Sequence, residues 1–145
     1  MRYIVIDPTT KTIFDGDHPG QIGWREIVEL IGNGCTGMDC AGRLPNGDLL
    51  WVDGEGLLKD GEIPLFQMPS VNMQPLGWRG IITGPERLPE GGEPGEDEKI
   101  VDAQTTLAGI TPLVIWVKPA TVTMRHSSRD EPGLSVHTIT PVFHR

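Results

Sequence analysis

The chain has 145 residues and a mass of 15.8 kDa, which favours one domain, and a fold of this size buries about two-thirds of its unfolded surface without metals or cross-links. Hydrophobic residues make up 37% and the net charge is −8; no apolar run approaches the roughly 18 residues of a membrane span, and the acidity argues against general binding to nucleic-acid backbones, where Lys and Arg displace counterions. Asp7 comes too soon for a signal peptide, and Cys35 and Cys40 without such a signal read as free thiols of a cytoplasmic protein.

Residues 3–6 form a β-branched run closed by Asp7-Pro8-Thr9-Thr10, and residues 12–14 follow as a second strand, so the chain opens with a predicted hairpin. Residues 15–20 read as loop. The spacing of Ile22, Trp24, Ile27, Val28, Leu30 and Ile31, with Arg25, Glu26 and Glu29 on the other side, predicts one short helix over 22–31. Gly32-Asn33-Gly34 stops it. Leu44-Pro45-Asn46-Gly47-Asp48 is a turn, residues 49–52 a buried-type strand, and Asp53-Gly54-Glu55-Gly56 a second turn. Residues 59–76 are interrupted by proline and predict irregular structure, and residues 80–84 predict a short strand. Residues 85–99 have linker composition and predict an exposed acidic loop.

In residues 100–110, Asp102 is placed to cap a turn of helix, against the helix-weakening Thr105, Thr106 and Gly109. Residues 113–117 form the most apolar strand, Pro119 breaks it, residues 120–125 alternate apolar and polar, and residues 134–139 return. The expected fold is α+β: a small strand-rich single domain with one short helix and a C-terminal antiparallel β-meander. The core is expected over 1–117, with the acidic flexible loop at 85–99, and a β-hairpin extension over 118–145. Gly23-Trp24-Arg25 recurs as Gly77-Trp78-Arg79, but the flanks do not align and no duplication follows.

Charge is uneven. Residues 86–98 hold six acids (Glu86, Glu90, Glu93, Glu96, Asp97, Glu98) against Arg87, while residues 117–145 hold Lys118, Arg125, Arg129 and Arg145 against Asp130 and Glu131, with three of the four histidines. If residues 120–125 pair with 134–139 so that His137 falls opposite Thr123, Arg125 and Ser135 share its face. Together with His126, Ser127, Ser128 and Arg129 they form a candidate site for a small anionic ligand. The plainer reading is a solvated hairpin tip. His126-Ser127-Ser128 matches one half of the paired His-x-Ser/Thr elements of phosphoesterases, but neither His137-Thr138-Ile139 nor the surroundings of His18 and His144 supply the other.

No hydrolase elbow, zinc-protease helix or phosphate loop occurs, so no catalytic residue is assigned. Cys35 and Cys40 lack the second pair of a structural zinc site, so neither metal nor cofactor is expected. Asp48, Asp53, Glu55, Asp60 and Glu62 fit no calcium loop and read as solvated turns. Trp51 and Trp116 sit in apolar strands and read as core. Trp24, Trp78 and Arg79 stand at element boundaries, where aromatic and Arg residues are interface candidates, as are Glu93, Glu96, Asp97 and Glu98 of the acidic loop.

Several stretches resemble a phage-encoded family of small proteins built on a domain of unknown function: Tyr3-Ile4-Val5-Ile6-Asp7-Pro8, the turn 44–48, and Leu50-Trp51-Val52-Asp53-Gly54-Glu55-Gly56-Leu57-Leu58-Lys59. Gln74-Pro75-Leu76, Gly80-Ile81-Ile82-Thr83-Gly84 and Val101-Asp102-Ala103-Gln104-Thr105-Thr106-Leu107 continue it, so the resemblance spans roughly residues 3–117. It implies a shared fold and a viral origin, and a place of action in the host cytoplasm. The tail from Pro119 departs from that pattern.

Two functions follow. The first is a non-enzymatic accessory protein that binds a host factor, such as a counter-defence inhibitor whose acidic surface covers a basic one. The alternative is a binder or sponge for a nucleotide-like anion, and a phosphoesterase-like hydrolase comes third. A homo-oligomer is compatible with either binder.

Overall fold

The structure, a computed structural model, describes residues 1–59, 61–88, 91–93, 95, 97–126, 135–138 and 142–143, with the backbone alone beyond Thr121. It is strand-rich α+β with antiparallel sheets. Strands β1 (Arg2–Asp7) and β2 (Thr12–Asp17) make the expected hairpin, with β2 reaching three residues into the expected loop. Helix α1 (Trp24–Ile31) follows. β3 (Met38–Arg43) and β4 (Leu49–Asp53) pair across the turn at 44–48. After a 3-10 turn at Gly56–Leu58, β5 (Gly61–Met68) and β6 (Asn72–Gly77) form a third hairpin.

β7 (Gly80–Thr83) lies between β1 and β4, and β8 (Glu86–Arg87) and β9 (Lys99–Ile100) make a two-residue ladder. Helix α2 (Leu107–Ile110) and a 3-10 turn at Thr111–Leu113 lead into β10 (Ile115–His126), followed by β11 (Ser135–Thr138) and β12 (Val142–Phe143). The first sheet has the order β2-β1-β7-β4-β3, and the second β11-β10-β5-β6 with β12 also on β10.

Alternation along the strands builds three layers. Ile4, Ile6, Leu50, Val52 and Ile82 face the second sheet and meet its Phe66, Met68 and Leu76. Their neighbours Val5, Leu49, Trp51 and Ile81 face the opposite way and pack under Ile22, Ile27 and Ile31. Covered on both faces, β4 is apolar throughout its first four residues instead of alternating. α1 is too short to persist alone, and its apolar stripe holds it down, each fully buried isoleucine contributing about 1.5–3 kcal/mol. Gly23 opens the helix, its N–H donating to Glu26 Oε2 at 2.8 Å. The backbone N–H groups of Glu26 and Gly23 hold the Glu26 carboxyl below the usual range, so this cap favours the fold at neutral pH and is lost in acid. No helix of the described residues is long and apolar enough to cross a membrane.

The structure corrects several expectations. Residues 59–76 are two strands, not irregular chain. Pro75 lies in edge strand β6, where a missing N–H is tolerated. β10 pairs Val117 with Leu65 and Ala120 with Ile63, a register irregularity that leaves Pro64 on one strand against Lys118 and Pro119 on the other. The two prolines therefore share one ladder defect, and Pro119 bulges β10 without breaking it. The boundary expected after residue 117 falls inside this strand. Thr106, not Asp102, caps α2, its Oγ1 accepting the Gly109 N–H at 3.0 Å.

Asp48 and Asp53, expected in solvated turns, are buried. Asp48 Oδ2 accepts the N–H groups of Gln104 (2.9 Å) and Thr105 (2.8 Å) and the Thr105 hydroxyl (2.6 Å), while Asn46 Nδ2 donates to that hydroxyl at 2.9 Å. The turn at 44–48 thus grips the segment that returns from the acidic excursion. Asp48→Ala strands two buried donors of Thr105 and the part-buried Gln104 N–H and is expected to cost about 3 kcal/mol, with Asp48→Asn milder because its carbonyl still accepts. Thermal melts of both variants check this, and a wild-type melting temperature in Asp48→Ala contradicts it.

Candidate functional site

Two concavities flank one locked turn. β3 and β6 are each an edge strand of their sheet. They are pinned together at one end, where Asn72 Nδ2 donates to the Ala41 carbonyl at 3.0 Å and Gly42 lies so close that a Cβ would come 2.7 Å from the Val71 carbonyl oxygen. Beyond that point they part over a groove of about 460 Å³. Ala41, Val52, Leu57 and Leu76 supply apolar lining, and Asp39, Asn72 and Gln74 polar groups.

Asp53 also lines this groove, with its charge answered from within. Its side chain is 2% exposed and Oδ2 receives Lys59 Nζ at 2.6 Å, while Oδ1 accepts the Glu55 N–H at 2.9 Å. Lys59 Nζ also donates to the Asn33 carbonyl at 2.9 Å and stands 5.8 Å from the centre of the Trp78 ring, a cation–π distance. Asp39 differs: it is exposed and has no ion-pair partner among the described residues.

The second concavity, about 480 Å³, lies at the C-terminal end of α1 and is lined by Asp7, Thr9, Thr10, Asn33, Trp78 and Arg79. Trp78 holds φ at +67°, a conformation that costs a bulky residue about 1–3 kcal/mol. Three contacts hold it there: its N–H donates to the Pro64 carbonyl at 3.0 Å, its indole Nε1 to the Gly56 carbonyl at 3.0 Å, and Lys59 covers its ring. The next residue is aimed accordingly. Arg79 Nε donates to Asp7 Oδ2 at 3.1 Å and Nη1 to the Leu30 carbonyl at 3.4 Å, while Asp7 Oδ1 accepts the Thr9 N–H. Arg79 therefore joins the end of β1 to the last turn of α1, with its charge matched by Asp7.

The predicted interface residues are split. Trp78 and Arg79 share the second concavity, but Trp24 stands 57% exposed at the other end of α1 with the Arg25 guanidinium 5.5 Å from its ring centre. Glu86, Glu93, Asp97 and Glu98 are exposed. Glu90 and Glu96 lie outside the described residues, as do Ser127, Ser128 and Arg129. β10 and β11 pair as expected, yet one residue out of the expected register. Thr123 meets Thr138, Met124 meets His137, Arg125 meets Val136 and His126 meets Ser135. Arg125 and His137 thus occupy ladder positions of opposite parity. Trp51 is core at 8% exposure, whereas Trp116 is only partly buried.

Among the described residues no three His, Cys, Asp or Glu side chains converge to hold a metal. Comparison with protein-family models, with curated proteins and with solved structures returns no match. The groove escaped sequence reasoning because β3 and β6 carry no strong strand pattern. Cys40, weighed there as a metal ligand, in fact stands exposed on the groove wall.

The two thiols differ. Burial pushes the Cys35 thiol above its ordinary range, and the charge of Asp53 pushes the same way. A maleimide dye at neutral pH is expected to label exposed Cys40 first and Cys35 only as the pH passes the ordinary thiol range near about 8.5. Since the folded value is the higher, protonated Cys35 supports the fold below about pH 8.5, and this support is lost as pH rises through the folded value. Cys35→Ala should flatten that alkaline slope in melting temperature; equal labelling rates for the two thiols would count against the assignment.

Proposed function

We propose that this protein is a phage-type accessory protein that acts by binding a host factor in the host cytoplasm, in the manner of a counter-defence inhibitor, and that its acidic segment 86–98 is the primary contact. The observation that carries this reading is the exposure of Glu86, Glu93, Asp97 and Glu98 on a segment that leaves and rejoins the domain through the two-residue β8–β9 ladder. The segment carries six of the 20 acidic residues of a chain whose net charge is −8, and such a concentration accelerates encounter with a basic surface. The resemblance of residues 3–117 to phage proteins supports the same reading. The rival anion-binding reading draws less support, because the β10–β11 register separates Arg125 from His137.

The test is capture of partners from source cells with the tagged protein, followed by kinetics on the purified partner. Replacing Glu93, Asp97 and Glu98 by Lys is expected to slow association at least about tenfold at low salt and to leave the melting temperature near wild type. Association unchanged by the replacements, or a small anion retained by the purified protein in native mass spectrometry with no protein partner, overturns the proposal.

A further inference from the structure

The groove between β3 and β6 is a built feature apart from the acidic segment, since none of the described residues of 86–98 lines it. Its volume of about 460 Å³ lies within the range of roughly 300–1,000 Å³ typical of binding sites. Sheet edges are normally covered or blunted against pairing. Here Pro75 blunts β6 and the contact between Ala41 and Asn72 covers one end, while Leu58 on the lining is 46% exposed and Met73 of β6 is 74% exposed. Among the described residues no Lys or Arg lines the groove, Asp53 is already paired with Lys59, and Asp39 on the wall has no ion-pair partner.

We propose that this groove is a docking site for an extended peptide segment of a partner protein, one that places an apolar side chain on the Ala41, Leu57 and Leu76 lining and a neighbouring Lys or Arg beside Asp39. An extended segment fits because the β3 wall is a strand edge whose main-chain groups an added strand can meet, while Pro75 removes an N–H from the β6 wall. A basic segment fits because, among the described residues, the one charge on the lining without an ion-pair partner is the Asp39 carboxylate. The inference rests on the reading that the protein acts by binding another protein, and it adds a second contact for a basic partner at a separate place.

The test uses two dye-labelled probe peptides, one alternating leucine and lysine and one alternating leucine and glutamate, with anisotropy as the readout. The lysine peptide should bind wild type saturably and protect Cys40, on the groove wall, from maleimide; the glutamate peptide should not bind. Asp39→Asn should weaken binding about threefold to fivefold, and Leu58→Asp, at an exposed position that leaves the fold intact, more than about tenfold. A variant with Glu93→Gln, Asp97→Asn and Glu98→Gln should bind the peptide like wild type while losing fast association with the host factor, which separates the two proposals. Overturning results are lysine-peptide binding that disappears in that triple variant and survives Leu58→Asp, binding that leaves Cys40 fully reactive, binding of neither peptide, or a dimer abolished by Leu58→Asp, which would make the occupant a second copy of the chain.

Discussion

One buried carboxylate closes this fold. Asp48 sits at the end of the β3–β4 turn with no exposure and gathers three donors from Gln104 and Thr105 on a single oxygen. The residues it holds lie within the long excursion of the chain between β7 and β10, just before α2. With Thr105 fixed, Thr106 is placed to cap α2, and α2 delivers the fully buried Ile110 into the core between the sheets. Removing that grip would free the segment that covers one end of the sandwich, because hydrogen bonds to a buried charge are worth more than those between neutral groups.

A second constraint couples the two sheets. The polypeptide passes from β6 in the second sheet to β7 in the first through Gly77-Trp78-Arg79, with Trp78 in a left-handed conformation. A glycine would adopt that conformation at no steric cost. A tryptophan there adds an indole that donates to the Gly56 carbonyl and a ring that carries Lys59, which in turn neutralises buried Asp53 and reaches Asn33. The strain of about 1–3 kcal/mol is offset by contacts that bind the 3-10 turn, the crossover and the loop after α1 into one unit. Both concavities lie against this unit, Trp78 and Arg79 lining one and Gly56 and Leu57 the other.

These constraints separate rigid surfaces from charged ones. The groove at the β3 and β6 edges is fixed by the pinned end at Ala41 and Asn72 and by the Asp53–Lys59 pair. Among the described residues, the acidic segment is closed at its base by the two residue pairs of the β8–β9 ladder. A partner steered by the acids and held in the groove would meet long-range attraction first and apolar contact second, and the two act over different distances, a Debye length of about 8 Å against direct contact.

The sequence by itself determined the elements whose signals are local. Residues 3–14 read as a hairpin from their β-branched runs and turn, residues 22–31 as a helix from spacing, and residues 49–52 and 80–84 as strands, each lying where such elements form. The exposure of Glu86, Glu93, Asp97 and Glu98 and the pairing of the C-terminal hairpin were legible for the same reason. Tertiary structure alone decided the rest. β5 and β6 were hidden because Pro64 and Pro75 forbid a strand only when their N–H is needed, and an opposing bulge and an edge position removed that need. Asp48 and Asp53 looked like turn residues because burial of a carboxylate depends on donors that lie far along the chain, Thr105 for one, or that fold back onto it, Lys59 for the other. The groove arises only where two edges distant in sequence diverge, so no stretch of residues announces it.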